Sequence, residues 1–172
     1  MSGPSRDGVN AEDAAHSHRE DAVLHVWVDA DGCPVKREVY KVAKRHALRV
    51  TLVANAVLPI PSGDWIDQVT VGSDPDAADD WIAEHAEAGD LVVTTDIPLA
   101  KRCLDREARV LSPKGHEFTD DDIGEALATR ELLSQLREVG TMTGGPAPFA
   151  DKDRSRFLQR FDELIRRVQR GK

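Results

Sequence analysis

LHVWVDADGCPV, residues 24–35, is an apolar run that ends on two carboxylates, Asp29 and Asp31, followed at once by Gly, Cys and Pro. The apolar run predicts a strand, and Pro34 suits the first turn of a helix that follows it. Asp is a poor strand residue and is seldom buried without a partner, so two carboxylates at this turn need a chemical reason. A metal ion, phosphate chemistry or a helix cap would each supply one.

The rest of the chain repeats this alternation of a short strand and a helix. Further strands are predicted at LRVTLVAN, DQVTVG, DLVVTT and ARVLSP, and further helices at SDPDAADDWIAEHAEAG, DIPLAKRCLDRE, DDDIGEALATRELLSQLREVG and DKDRSRFLQRFDELIRRVQRGK. In the helix after the third strand, Asp74 is the predicted cap and Pro75 the first helical residue. Because the strands are continuous apolar runs, we expect an α/β fold whose mainly parallel sheet is covered on both faces.

The composition predicts one globular domain behind a polar tail. Residues 1–22 are rich in Ser, Gly, Asp and Glu and are predicted to be disordered, whereas residues 23–172 form a single domain that ends in a basic helix. Two cysteines provide neither a disulfide framework nor a zinc set. No apolar run approaches the ~18 residues of a membrane helix, and the N-terminus lacks a signal-peptide core, so we expect a cytoplasmic protein that does not contact membranes.

The charge distribution restricts how the chain can meet nucleic acid. A net charge of −8 argues against tight binding by the whole surface, and only 5% aromatic residues do not favour a stacking platform for single strands. The last helix is nevertheless basic, with Arg154 near its start and apolar residues at helical spacing. Its polar face is compatible both with contacts to a phosphate backbone and with simple solvation.

Polar residues follow every predicted strand, at the edge where parallel α/β sheets bind ligands. They are Asp29 and Asp31; Asn55; Asp74, Asp76, Asp79 and Asp80; Thr94, Thr95 and Asp96; and Ser112, Lys114 and His116. Carboxylates gathered at one edge repel one another unless a cation neutralises them, and Mg²⁺ or Mn²⁺ takes such oxygen ligands. The pattern predicts a divalent-metal site formed by Asp29, Asp96 and one or more of Asp74, Asp76 and Asp79.

Simpler interpretations apply to the same residues. Asp74 and Asp96 are also suitable helix caps, and Asp80 suits a solvated helix face. Lys101 and His116 could each approach a phosphate, but both also suit an exposed position. Capping explains Asp29 and Asp31 poorly, because Asp29 directly ends an apolar strand. The metal site is favoured because acidic residues follow three different predicted strands, the first, third and fourth.

Several motifs taken together resemble one protein family. VDADGCPV, LVAN, GSDPDAADDWI, DLVVTTDIPLA, LSPKGHEFT and GGPAPFADKDRSRFLQRFD, within residues 24–165, are similar to the successive motifs of the YaiI/YqxD family of uncharacterised bacterial proteins, which is grouped with PIN-like domains. Gly32 stands where Ala is usual in that family. The resemblance implies a three-layer α/β/α sandwich and, for many PIN-like domains, a metal-dependent ribonuclease with an acidic site.

The resemblance also implies roles for particular residues. Asp29 resembles the metal ligand after the first strand, Asp96 the acidic residue after the fourth, and residues 74–79 the central acids, whereas Asp31 has no counterpart. The resulting hypothesis is hydrolysis of RNA phosphodiester bonds with Mg²⁺ or Mn²⁺, in which Asp29 and Asp96 are catalytic. The residues predicted to bind substrate are Asp31, Asn55, Thr95, Lys101, His116 and Arg154.

Two further functions stay open on the sequence alone. The first is a non-catalytic module of the same fold that binds RNA or a protein through the basic last helix. The second is a small phosphatase in which Asp29 is the nucleophile, since Asp29-Ala30-Asp31 also resembles the entry motif of haloacid-dehalogenase-like enzymes. In that class the acidic cluster follows the conserved Thr or Ser, whereas here residues 74–80 precede Thr94. The sequence does not predict an oligomeric state.

Overall fold

One six-stranded sheet forms the centre of the part of the chain that the computed structural model describes, residues 24–138 and 148–171. Its strands are β1 (His25–Asp29), β2 (Arg49–Ala54), β3 (Ile66–Thr70), β4 (Leu91–Val93), β5 (Arg109–Leu111) and β6 (Glu117–Phe118). They lie in the order β3-β2-β1-β4-β5-β6, with only the β5–β6 pair antiparallel. The predicted mainly parallel sheet is confirmed; β6 was missed because a two-residue strand has no periodicity to detect.

Helices connect the strands and cover both faces of the sheet. Within the described ranges they are α1 (Lys36–Arg45), α2 (Ala77–His85), α3 (Ile97–Asp105), α4 (Asp120–Glu138) and α5 (Asp151–Arg170). Two predicted helix starts were wrong. Pro34 precedes the N-cap of α1, which is Val35, and follows a turn over residues 30–33 that is closed by Cys33 N–H and Ala30 C=O.

The second wrong start is that of α2. Asp74 and Pro75 lie before this helix, whose N-cap is Asp76. The Asp74 side chain instead accepts a hydrogen bond of 2.9 Å from the backbone N–H of Asp76. This Asx turn satisfies the carboxylate locally and delays the start of the helix by two residues.

Alternation along the strands divides the core between the two faces of the sheet. On β1, Val26 and Val28 face α1 and α5, whereas Trp27 faces α2 and α3. The first layer of core residues also contains Val39, Val42, Leu52, Val93, Phe157, Phe161 and Ile165, and the second contains Val53, Ala78, Ile82, Val92, Leu99, Cys103 and Ile123. The molecule is therefore a three-layer α/β/α sandwich, as the family resemblance implies.

Some predictions cannot be compared with this structure. The predicted disordered tail, residues 1–22, lies outside the described residues, as does most of the predicted linker at residues 141–150. The assignment of residues 23–172 to a single domain stays a prediction. Among the described residues, no helix combines the length and apolar character needed to cross a bilayer.

The order of the strands reverses beside β1. The chain moves from β1 to β2 and β3 on one side, then returns to β4 and β5 on the other side. At such a switch point the connections leave in opposite directions, and a crevice opens at the carboxyl ends of the two central strands. Here β1 ends at Asp29 and β4 ends at Val93, so residues 29–31 and 94–96 form the two sides of that crevice.

Candidate functional site

Asp29 lies at the carboxyl end of β1, half-buried at the switch point. Its Oδ2 accepts a hydrogen bond of 2.9 Å from the hydroxyl of Thr94, which follows β4. Burial raises the pKa of the Asp29 carboxyl above its ordinary value, an effect that the Thr94 hydrogen bond opposes and that the charges of Asp96 and Asp31 reinforce. Asp29 is thus a carboxylate held in a negative environment, next to a donor that fixes its orientation.

Asp96 is fixed in the same crevice by the start of α3. Its Oδ1 accepts a hydrogen bond of 2.7 Å from the backbone N–H of Leu99, which makes it the N-cap of this helix. Its own N–H donates to the Thr94 hydroxyl at 3.0 Å. The predicted capping role is confirmed, and it does not exclude a second role, because the cap uses only one carboxylate oxygen.

Asp79, on α2, is a third acid that approaches Asp29 and Asp96 at the crevice. Burial, the charges of Asp96, Asp29 and Asp76, and a hydrogen bond to the Asp96 side chain together raise the pKa of Asp79 to about 7. Asp79 is therefore partly protonated near neutral pH, as expected for a carboxyl group held close to other acids. Three acidic side chains, one each from β1, α2 and the start of α3, therefore lie close enough for their charges to interact.

This acidic cluster, Asp29, Asp79 and Asp96, fits a hard divalent cation by the chemistry of its ligands. All three side chains offer carboxylate oxygens, the preferred ligands of Mg²⁺ and Mn²⁺, and their charges oppose one another. Over the described ranges, no three His, Cys, Asp or Glu side chains are already spaced as a metal site. Binding an ion would therefore require deprotonation of Asp79 and a small closure of the cluster.

Asp31 and Asn55 lie beside the cluster and hold the crevice together. The backbone N–H of Asn55 donates to Asp31 Oδ2 at 3.1 Å, and the Asn55 side chain donates to the carbonyl of Gly72 at 3.1 Å. These bonds link the loops that follow β1, β2 and β3. Gly32 completes the first of those loops with φ of +72°, a conformation that Gly adopts without the strain felt by other residues.

The other acids of α2 have separate surroundings. Asp74 is exposed, and its carboxylate is engaged by the turn that precedes the helix. Asp76 is exposed and close enough to Asp79 to raise the pKa of that residue. Asp80 points away and accepts a hydrogen bond of 2.7 Å from Arg102. Of the three candidate ligands in this segment, Asp79 is the one that the structure brings to Asp29 and Asp96.

The residues predicted to bind substrate are distributed around the molecule. Thr95 is exposed at the rim of the crevice, between Thr94 and Asp96. Lys101 pairs with Asp105 at 2.6 Å, and this hydrogen bond raises the pKa of the lysine. Lys101 is therefore engaged with a neighbouring acid on α3.

His116 and Arg154 each contact residues outside the acidic cluster. His116 is in the β5–β6 turn, with Nε2 at 3.6 Å from Asp122. Arg154 donates to the carbonyl of Pro34 and to Glu38, each at 2.9 Å, so it joins α5 to the start of α1. The structure thus gives Arg154 a tethering contact between two helices.

Sequence reasoning placed Thr94 after the fourth strand but gave it no role in the site, although this residue connects the cluster. Thr94 is 1% exposed, and its single hydroxyl contacts both Asp29 and the backbone of Asp96. Thr95, its neighbour, was the residue predicted to take part in the site. The two could have been distinguished by their distance from the strand, because Thr94 directly follows the last residue of β4, Val93, and Thr95 lies one residue farther out.

Comparison with known proteins identifies a family and several relatives that are similar to this chain. Residues 27–167 match the model of a family described as "Uncharacterized BCR, YaiI/YqxD family". The chain is 53% identical over 150 residues to a UPF0178 protein of Rhodospirillum rubrum, covering 87% of this chain and 100% of that relative.

Other relatives show similar agreement. A UPF0178 protein of Azorhizobium caulinodans is 54% identical over 148 residues, with 86% of this chain and 93% of the relative covered. One of Paramagnetospirillum magneticum is 53% identical over 145 residues, with 84% and 96% covered. No solved structure matches the chain.

Proposed function

The chain belongs to the YaiI/YqxD family, and from this membership and the geometry of its crevice we propose that it is a divalent-metal-dependent nuclease that hydrolyses RNA. One observation carries the proposal: Asp29, Asp79 and Asp96 reach the switch point from three separate elements and remain there despite their mutual repulsion. Acidic groups gathered at a functional crevice are a recognised sign of a ligand-binding or catalytic site.

In this proposal the acidic cluster holds Mg²⁺ or Mn²⁺. The ion, when bound, supplies positive charge that stabilises a reacting phosphoryl group. Asp29 is oriented for this task by the Thr94 hydroxyl, and Asp96 by its bond to the N–H of Leu99. Two of the three carboxylates are therefore positioned before the ion arrives, which reduces the cost of ordering them.

The residues at the rim complete the proposed site. Thr95 is exposed beside Asp96 and offers a hydroxyl for a phosphate oxygen of the substrate. Asp31 and Asn55 fix the neighbouring loops, and the exposed position of both residues lets a substrate pass beside them. In this arrangement the crevice positions a phosphodiester, and base identity is not recognised by the cluster itself.

The test compares Asp29→Asn and Asp96→Asn with the wild-type protein. Asn is a good N-cap, so Asp96→Asn is expected to preserve the start of α3 while removing a negative charge. We expect each variant to lose more than about 100-fold in Mn²⁺ affinity, by calorimetry, and in Mn²⁺-dependent cleavage of labelled RNA. Asp80→Asn is the matched control, because Asp80 is an exposed acid one residue from the cluster and pairs with Arg102.

Two results would contradict the proposal. Unchanged Mn²⁺ affinity in both cluster variants would contradict the proposed metal site. If the wild-type protein does not cleave RNA at saturating Mn²⁺, the proposed nuclease activity is contradicted. Wild-type protein that binds RNA but does not cleave it would instead support the non-catalytic module. A phosphatase would be revealed by phosphate trapped covalently on Asp29.

A further inference from the structure

A groove separates α5 from the β5–β6 hairpin and has a volume of about 570 Å³. One stripe of α5 lines it with four arginines: Arg156, Arg160, Arg167 and Arg170. From the first to the last of these, the stripe is about 21 Å long at 1.5 Å per helical residue. We refer to this feature as the arginine groove.

Positive charge exceeds negative charge in the arginine groove. Its two lining carboxylates are Glu117, hydrogen-bonded to Arg167, and Glu163, which lies 3.7 Å from Arg160. Arg170 has no carboxylate partner among the residues that the structure describes. On a protein with a net charge of −8, such a concentration of arginines along one line is a local exception.

The floor of the groove is firmly packed. Gly115, in the β5–β6 turn, sits so close to α5 that a Cβ on it would lie 2.9 Å from the backbone carbonyl carbon of Arg156 and 3.0 Å from the backbone nitrogen of Phe157. Phe157 is fully buried beneath this contact. The arginines therefore extend from a helix held against the hairpin, which keeps them in a fixed line.

The groove begins at the same edge of the sheet as the acidic cluster. The β5–β6 turn that contains Gly115 follows the carboxyl end of β5, and β5 is the strand next to β4. Asp29 and Asp96 lie at the carboxyl ends of β1 and β4. A chain of phosphates bound along the arginine groove would thus have one end directed toward the edge that carries the cluster.

The lining of the groove indicates what kind of ligand it suits. None of the described residues that line it is Trp, Tyr or Phe, so bases have no aromatic platform on which to stack. Arginine forms bidentate hydrogen bonds with phosphate, and a single line of them matches one backbone better than the two backbones of a duplex. These features favour contact with the phosphates of a single strand, independent of base sequence.

We propose that the arginine groove binds the phosphodiester backbone of a single-stranded polynucleotide. That this polynucleotide is RNA rests on the proposed nuclease function; the groove itself selects phosphate. Arg160 and Arg170 make the contacts, because Arg167 is held by Glu117 and Arg156 packs on Gly115. Arg154, which faces α1, does not line the groove.

The experiment measures binding of a fluorescein-labelled oligouridylate by anisotropy in the presence of EDTA, so that cleavage does not occur. We expect the double variant Arg160→Gln/Arg170→Gln to bind more than 10-fold more weakly than wild type. The slope of log affinity against log salt should fall by about 1.4, since each lost phosphate contact contributes about 0.7 for single strands. Arg166→Gln is the control on the same helix, since Arg166 pairs with Asp162 at 3.0 Å on the α1 side.

Three results would overturn the inference: no binding by the wild-type protein at about 50 mM salt, equal binding by the double variant, or equal competition by uridine monophosphate. A loss in Arg166→Gln as large as in the double variant would also contradict it, since it would show a general charge effect. Because the assay contains no metal, it separates the two proposals. Binding that persists without any metal-dependent cleavage contradicts the nuclease alone, and cleavage without dependence on Arg160 and Arg170 contradicts the groove alone.

Discussion

The Thr94 hydroxyl donates a 2.9 Å hydrogen bond to Oδ2 of Asp29 across the switch point of the sheet. The Thr94 hydroxyl oxygen in turn accepts a hydrogen bond of 3.0 Å from the backbone N–H of Asp96. One buried hydroxyl thereby orders two acids that are far apart in the sequence. This relationship makes Thr94 a positioning residue in the proposed metal site, although it is not itself a ligand.

Replacing Thr94 with Val tests that role, because Val has nearly the same shape and no hydroxyl. Asp29 then loses a donor and the N–H of Asp96 loses an acceptor, so we expect a loss of about 1–3 kcal/mol in free energy of unfolding. Mn²⁺ affinity should fall by about 10–100-fold. Urea denaturation and calorimetry measure the two effects, and Thr94→Ser is the control that retains the hydroxyl. Equal Mn²⁺ affinity in the Val and Ser variants would contradict the positioning role.

Gly115 offers a test of the floor of the arginine groove. Its φ is +86°, and an added Cβ would lie 2.7 Å from Cγ of Arg156, so Gly115→Ala forces the hairpin away from α5. We expect the variant to lose about 1–3 kcal/mol of stability and to bind the oligouridylate more weakly. Gly124→Ala is the control: Gly124 lies within α4 with open space around it, so this change should raise stability by up to about 1 kcal/mol. Unchanged stability in Gly115→Ala would show that the close approach is absent.

Asp162 provides a prediction about pH. Its hydrogen bond from His46, 2.6 Å long, together with Arg166 and Arg45, lowers the pKa of this carboxyl below the ordinary value. A lowered pKa in the folded state means that Asp162 stabilises the protein above its unfolded pKa of about 3.9, and that this contribution disappears as the pH falls through the lower folded value.

The comparison between wild type and Asp162→Asn isolates that contribution from the other acids. The difference in urea midpoint should be largest above about pH 4 and should shrink as the pH decreases toward 2. A difference that stays constant over this range would show that the loss comes from packing. His46 and Asp162 join α1 to α5, so the measurement reports on the layer that holds the arginine groove.

The sequence predicted the parts of the fold that depend on local pattern. Continuous apolar runs predicted the five parallel strands, and the Asp-Ile-Pro start of α3 predicted the cap at Asp96, which is confirmed. The start of α2 was placed too early because the Asp74 side chain accepts a hydrogen bond within a turn that precedes the helix. The spacing of apolar residues does not show where such a turn ends and the helix begins.

Tertiary contacts explain what sequence reasoning could not distinguish. Asp79 and Asp74 both suited a metal site in the sequence. In the structure Asp74 is engaged by the turn before α2, whereas Asp79 lies on α2 beside Asp29 and Asp96. Asp90 was not singled out at all. It is a half-buried acid that accepts hydrogen bonds from the Trp27 side chain at 3.0 Å and the backbone N–H of His25 at 3.2 Å, partners more than sixty residues away.

Arg154 and the arginine groove show the same limit. The last helix was recognised as basic, but the direction of each arginine depends on which side of α5 rests on the sheet. Arg154 contacts Glu38 on α1, whereas Arg160 and Arg170 line the groove beside the hairpin. The two positions from Arg154 to Arg156 turn the helix through about 200°, which is enough to move an arginine from one side to the other.

We propose that Asp29, Asp79 and Asp96 gather at the switch point as ligands of a divalent cation. Anomalous diffraction from crystals soaked in MnCl₂ would locate such an ion. We expect one strong manganese peak within about 2.0–2.4 Å of carboxylate oxygens from Asp29 and Asp96, with Asp79 drawn toward it. Ordered crystals that show no manganese at the crevice, with the Asp79–Asp96 hydrogen bond still in place, would contradict it.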